Sequence, residues 1–313
     1  MTAAPDTLFD RPIPARIGVT ALNILLPGLG LVRLGHGREG GLIASGTLAL
    51  LCLFTVLAVT MPVGGFAIAA LTYSWFLLVY LLAMLFSLVR TWPKSRRDRG
   101  EQWWSRWYAI ILWWAVSAIV SAGLNTLFDK SYHSFYVASV SMKPTFEKNE
   151  KLVADMRWRT PIVGNIVLVH DHQGTVRIYR VAAIGGQTFA MRGGLPVIDG
   201  HAARQAQIGG IAFQEGSLGL QSGRLMREQL PGEAGTHRII QLQGNGFLDD
   251  FPEVHIPAGS VFLLGDDRDL AADSRVSPEE VGVGILPVSA IVGRPLYIAW
   301  SKDRSRIGQR ADH

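Results

Sequence analysis

Two serines stand two residues apart in the segment Phe135-Tyr136-Val137-Ala138-Ser139-Val140-Ser141-Met142-Lys143-Pro144-Thr145. In extended backbone, residues i and i+2 point to one side, so Ser139 and Ser141 can face the same reacting centre. Acyl transfer to water needs such a cluster: a nucleophile, a base that removes its proton, and donors aimed at the developing oxyanion. Taken alone, two serines before a proline are also ordinary turn chemistry. Three further segments follow the serine pair in order. They are Gly164-Asn165-Ile166-Val167-Leu168-Val169, Arg177-Ile178-Tyr179-Arg180-Val181-Ala182-Ala183-Ile184-Gly185-Gly186, and Gly265-Asp266-Asp267-Arg268-Asp269-Leu270-Ala271-Ala272-Asp273-Ser274-Arg275. The last places Asp266, Arg268, Asp273 and Arg275 within ten positions, after the apolar run Val261 to Leu264.

Together these segments resemble the motifs of the type I signal peptidases, membrane-bound serine endopeptidases, over roughly residues 108 to 300. The resemblance implies that Ser141 is the nucleophile. It implies that the Ser141 N–H and the Ser139 hydroxyl form the oxyanion hole, and that Arg180, Asp266, Arg268, Asp273 and Arg275 support the site through ion pairs. It also implies a substrate class, exported preproteins cut after small residues at positions −1 and −3 of the signal peptide. No cofactor is implied, and no spacing in the sequence suggests a metal site.

At one point the chain departs from that pattern. The family's general base, a lysine or in some relatives a histidine, falls on Tyr179, and the serine that orients the lysine falls on Ala271. A phenol with a pKa of about 10 is ionised in only about one molecule in a thousand at neutral pH. Arg177, on the same strand face as Tyr179, would lower that pKa, and burial would raise it. Arginine itself stays protonated and cannot be the base. If a four-residue loop pairs His170 with Thr175, Tyr179 pairs with Ile166, leaving His170 roughly 13 Å away along the strand. Lys143 reads as an interfacial lysine pointing to solvent or lipid headgroups, and Lys148 and Lys151 as surface charges. The paired loss at Tyr179 and Ala271 points to a remodelled pocket. Three functions stay open: a signal peptidase I-like endopeptidase; a pseudopeptidase or membrane scaffold that binds signal segments; and a dedicated processing peptidase of a secretion or conjugation system.

The elements that must position these residues fall into two halves. The 313 residues carry a net charge of +5, and the mean hydropathy of +0.23 is high for an ordinary soluble chain. Gly41 to Val89 contains no Asp, Glu, Lys or Arg over 49 residues, whereas one bilayer crossing needs only about 20. We therefore expect an α-helical multi-spanning membrane domain followed by a mainly antiparallel β, signal-peptidase-like domain. Residues 1–106 would hold a broken re-entrant or interfacial segment at 17–32, spans at 41–61 and 66–89 joined by a turn at Met61 to Gly65, and a basic cytoplasmic loop at 90–106. Trp103, Trp104 and Trp107 would anchor the inner end of a final span at 107–128.

All of the positive excess sits with this half. Residues 1 to 128 hold 10 Lys plus Arg against 5 Asp plus Glu, and residues 129 to 313 hold 20 against 20. That pattern suits the positive-inside rule and a lipid partner, with the C-terminal domain on the exported side of a bacterial cytoplasmic membrane, and gives no reason to expect nucleic acid. The acidic, proline-bearing N-terminus does not read as a cleavable signal peptide. The lone cysteine, Cys52, leaves no intramolecular disulfide to form.

From 129 to 301 short alternating runs separated by Gly, Asn and Asp predict an antiparallel β domain. Strands are expected at Ile166–Val169, Val176–Val181, His237–Leu242, Val261–Leu264 and Ile291–Trp300. Residues 193–235 read as an insertion of irregular hairpins or a flexible subdomain, and 302–313 as a polar, solvated tail.

Overall fold

The computed structural model describes residues 13–60, 66–92, 106–216, 219–242, 246 and 248–311. The chain divides into two compact units, Met1–Asp129 and Lys130–His313. In the first unit the helices are α1 (Ile13–Leu25), α2 (Leu29–Arg33), α3 (Gly37–Thr60) and α4 (Phe66–Thr91), followed by α5 (Trp107–Ser131), which runs on into the second.

The break between α1 and α2 has a polar cause. Asn23 is fully buried, accepts the backbone N–H groups of Gly28 and Gly30 at 3.0 and 3.1 Å, and donates to Thr91 Oγ1 at 2.9 Å. Its amide thereby takes up donors that the interrupted helix leaves open. Gly28, at φ +97°, sits so close to Gly40 that a side chain would collide with the Gly40 carbonyl.

The expected multi-spanning helical membrane domain is not what the fold presents. Among the described residues one helix, Ile110–Ser131, is long and apolar enough to cross a membrane. Within α4 the apolar stretch found among the described residues is Leu77–Thr91, fewer than the roughly 20 residues a crossing takes. The turn at 61–65 and most of the basic loop, 93–105 with Trp103 and Trp104, lie outside the described residues.

The larger part of the chain is antiparallel β. The central sheet contains β1 (Tyr132–Tyr136), β2 (Lys151–Asp155), β3 (Ile166–His170), β4 (Val176–Ile184), β12 (Ser260–Leu264), β13 (Leu286–Pro287) and β14 (Ile291–Trp300), in the order β1-β2-β14-β3-β4-β12-β13. Strand β14 lies between β2 and β3, and so ties the end of the domain to its beginning. A four-stranded sheet pairs β11 (Phe251–His255) with β5 (Thr188–Arg192), β6 (Leu195–Ile198) and β7 (His201–Ala202). A three-stranded sheet joins β10 (His237–Leu242) to the long hairpin β8 (Arg204–Glu215) and β9 (Gly219–Gln229). Residues 193–235 thus consist largely of regular strands, although Gly and Gln obscure any alternation in the sequence.

Buried apolar clusters pack against the central sheet. Val167, Val169, Tyr179, Val181, Val261, Leu263 and Ile291 pack together, while Val137, Met142, Phe146, Leu152, Ile166 and Ile298 form a second cluster. The second cluster also buries Ala311, and Arg306 donates to Glu150 Oε1 at 2.6 Å and to the Thr145 carbonyl at 2.8 Å. The expected solvated tail is instead docked, because Glu150, at 1% exposure, needs a cation beside it.

The β3–β4 hairpin also differs from expectation by one residue. His170 pairs with Val176, and Tyr179 with Val167. The cause is Asp171, whose Oδ1 accepts the N–H groups of Gln173 and Thr175 at 2.9 and 2.8 Å and draws Thr175 into the turn.

Candidate active site

The serine pair sits on a turn between β1 and β2. Lys143 N–H donates to the Val140 carbonyl and Phe146 N–H to the Met142 carbonyl, both at 2.9 Å, closing the loop on itself. Val140, Met142 and Phe146 are buried, so the alternating Ser139 and Ser141 are turned outward. Their hydroxyl oxygens lie 3.2 Å apart. The geometry brings together the two residues that the motif singles out.

Behind the turn lies the segment 265–275. The N–H of Asp267 donates to the Ser141 carbonyl at 3.0 Å. Gly265 is packed so tightly that an added Cβ would meet the side chain of Ala271 and come within 2.6 Å of the Ser141 carbonyl oxygen. Only glycine allows this approach.

Charged pairs hold the segment in place. Arg180, fully buried on β4, donates to both oxygens of Asp266 at 2.8 and 2.6 Å and to the Gly164 carbonyl at 2.6 Å. The Thr145 hydroxyl donates to Asp266 as well, which links the pair directly to the serine turn. Burial works against the Asp266 carboxylate, yet Arg180 and these donors hold its pKa below the usual range. Arg275 pairs with Asp273 at 2.9 and 2.7 Å, and Asp273 accepts the Gly265 N–H at 3.0 Å. All five supporting residues from the sequence reading are therefore buried and charge-paired.

Arg268 binds outside the motif. It donates to Glu228, with its Nη1 to Oε1 contact at 2.9 Å, and His237 joins Glu228 at 3.1 Å and Glu233 at 2.9 Å. Despite full burial, which opposes ionisation, Arg268 and His237 hold Glu228 down to about 2. Burial and Arg180 push His237 down, but the two glutamates outweigh them and raise it. Nothing local in the sequence links position 228 to 268. The contact exists only because β9 and β10 pair alongside the motif.

Tyr179 does not join the serines. Its ring is buried and its hydroxyl donates to the Ala272 carbonyl at 2.6 Å. Burial pushes its pKa up to about 12, outweighing the lowering by Arg177. Arg177 is held in turn by Asp171 at 2.7 Å and the Val281 carbonyl at 3.2 Å. The phenol is a structural bridge between β4 and the Ala271-Ala272 turn.

Lys143 also differs from its expected place. It is buried at 8% exposure, with its ammonium 3.1 Å from Glu147 and 4.2 Å from the centre of the Phe213 ring. An acidic partner one helical step along and an aromatic face from β8 together replace solvent for the cation.

The family model described as signal peptidase, peptidase S26, matches residues 106–300. The probable signal peptidase I-1 of Synechocystis sp. is 26% identical over 174 residues, covering 52% of this chain and 68% of that protein. The crystal structure of a signal peptidase I from Enterococcus faecalis V583 aligns over 43% of this chain and 96% of its own, at 15% identity and a TM-score of 0.24.

Proposed function

The chain belongs to the peptidase S26 family of signal peptidases, and from that premise we propose that it is a membrane-anchored serine endopeptidase with Ser141 as its nucleophile. The observation that carries this reading is the outward-facing pair of hydroxyls, 3.2 Å apart, whose turn is bonded through Asp267 and Thr145 to the buried Arg180–Asp266 pair. Such rigid support is what a catalytic serine requires.

In this reading Ser141 Oγ attacks the scissile carbonyl, and the Ser139 hydroxyl and Ser141 N–H donate to the oxyanion that forms. The substrate is a preprotein cut after small residues at −1 and −3. The helix Ile110–Ser131 supplies an anchor, with Ile111, Leu112 and Ile119 turned outward as a lipid-facing surface would be. The domain from 129 onward then works on the exported side of the membrane.

The test is cleavage of a preprotein with Ala at −1 and −3 by the full chain in lipid or detergent. Ser141→Ala should abolish it, and cleavage that survives this change removes the serine mechanism. One observation favours a second reading, a protein that binds signal segments without cutting them: the Tyr179 hydroxyl, at the family's base position, is committed to Ala272. Binding of the preprotein by wild type with no cleavage at any pH from 5 to 9 would select it.

A further inference from the structure

The site as described has a nucleophile and oxyanion donors but no base in the usual place. Asp267 is the residue bonded to the nucleophile from behind, through its N–H to the Ser141 carbonyl. Its side chain is fully buried. One carboxylate oxygen, Oδ1, accepts the Leu270 N–H at 3.2 Å, whereas Oδ2 is buried with no hydrogen-bond partner among the described residues. A buried acceptor left unpaired is costly, so a fold that retains one needs a reason outside packing.

The other groups near the turn are occupied. The Tyr179 hydroxyl is committed to the Ala272 carbonyl, His170 Nδ1 lies 3.0 Å from the Gly174 carbonyl, and the Lys143 ammonium is paired with Glu147. Arg180 and Arg268 are guanidinium groups bound to carboxylates. Resting on the serine-peptidase reading above, we propose that the Asp267 carboxylate is the general base that receives the Ser141 proton.

The steps balance without any further reactant. As the Ser141 Oγ–C bond forms, the hydroxyl proton passes to Asp267 Oδ2. The peptide C–N bond then breaks as that proton moves to the leaving amine. Water gives a proton to the same carboxylate while attacking the acyl carbon, the C–Oγ bond breaks, and the proton returns to Ser141. In this structure the Ser141 hydroxyl is paired with that of Ser139. For this transfer Asp267 Oδ2 must come within reach of that hydroxyl when substrate binds, as catalytic hydrogen bonds commonly tighten only in the Michaelis complex.

The surroundings suit the task. Burial pushes Asp267 up to about 7, the backbone donors of its own turn and Lys143 pull it down, and Asp269 pushes it up. A base that is half ionised near neutrality combines availability with proton affinity. Lys143, buried against Phe213, then acts on the base from the serine's own turn.

The experiment is kcat/KM for the Ala(−3)/Ala(−1) preprotein between pH 5 and 9, for the full chain and the variants Asp267→Asn, Lys143→Met and Ser141→Ala. Wild type should rise through a midpoint near 7. Asp267→Asn should lower the rate by about 100-fold or more and lose that rise. Lys143→Met should move the midpoint to higher pH, a result that does not depend on whether Asp267→Asn folds. A folded Asp267→Asn with wild-type rate and profile overturns the assignment, while an inert Ser141→Ala leaves the serine reading standing. Loss of cleavage in Lys143→Met alone, or an unmoved midpoint in that variant, overturns it as well. No Ser141-dependent cleavage by wild type defeats both readings.

Discussion

The Tyr179 hydroxyl donates to the carbonyl of Ala272 at 2.6 Å, across 93 positions of sequence. This bond joins the two positions at which the resemblance led one to expect a lysine and the serine that orients it, because Ala272 follows Ala271 directly. A lysine needs a hydroxyl to orient it, whereas a phenol finds its acceptor in the backbone. The phenol ties the β4 strand to the 265–275 segment.

If the phenol is structural, Tyr179→Phe should leave preprotein cleavage close to wild type. It should lower stability by about 1–2 kcal/mol, the ordinary loss for one hydrogen bond with a partner left unpaired. Chemical denaturation and a cleavage assay on the same sample separate the two effects. A variant of normal stability and no activity would place the hydroxyl in the chemistry.

Ser139→Ala removes one oxyanion donor and leaves the turn's backbone bonds in place. We expect kcat to fall by about two to three orders of magnitude with KM little changed, as for the loss of one such donor elsewhere. Steady-state kinetics on the preprotein test this, and an unchanged kcat would assign the oxyanion to other groups.

How far the sequence exposed these features follows from the range of the contacts. The strands Ile166–His170, His237–Leu242 and Ile291–Trp300 are legible because their apolar runs end at turn residues, and the serine pair because its spacing matches the period of extended chain. The one-residue shift at Thr175 was not legible, since it depends on where the Asp171 carboxylate finds its donors. Glu228 and His237 were invisible because a strand pairing delivers them to Arg268. The burial of Lys143 needed Phe213 from a distant hairpin.

The lysine and serine that the resemblance leads one to expect can be put in place together. In Tyr179→Lys with Ala271→Ser, an amine and the hydroxyl that orients it return together to a pocket lined by Val167, Val181 and Leu263. Burial there should depress the lysine's pKa and make it available as a base. Cleavage should then become less dependent on Asp267, so that adding Asp267→Asn to the double variant costs less than it does in wild type. An equal loss in both backgrounds would mean that the new lysine does not reach the serine proton.

Two buried carboxyl groups should leave opposite marks on stability. Glu228 is held at about 2 against an ordinary value of 4.5, so its folded form binds fewer protons than the unfolded chain. Its contribution is present above about pH 4.5 and is lost as pH falls towards 2. Asp267 is raised from 3.8 to about 7, so here the folded form holds the extra proton. Its contribution is present below about 4 and is lost as pH rises to about 7, above which the fold carries the full cost of the buried charge. Asp267→Asn removes that cost. Its stability relative to wild type should therefore improve steadily between pH 4 and 7 and level off above, as followed by denaturant unfolding across that range. A stability difference that stays flat from pH 4 to 8 would mean that Asp267 titrates normally, and would leave it no better a base at neutral pH than a surface carboxylate.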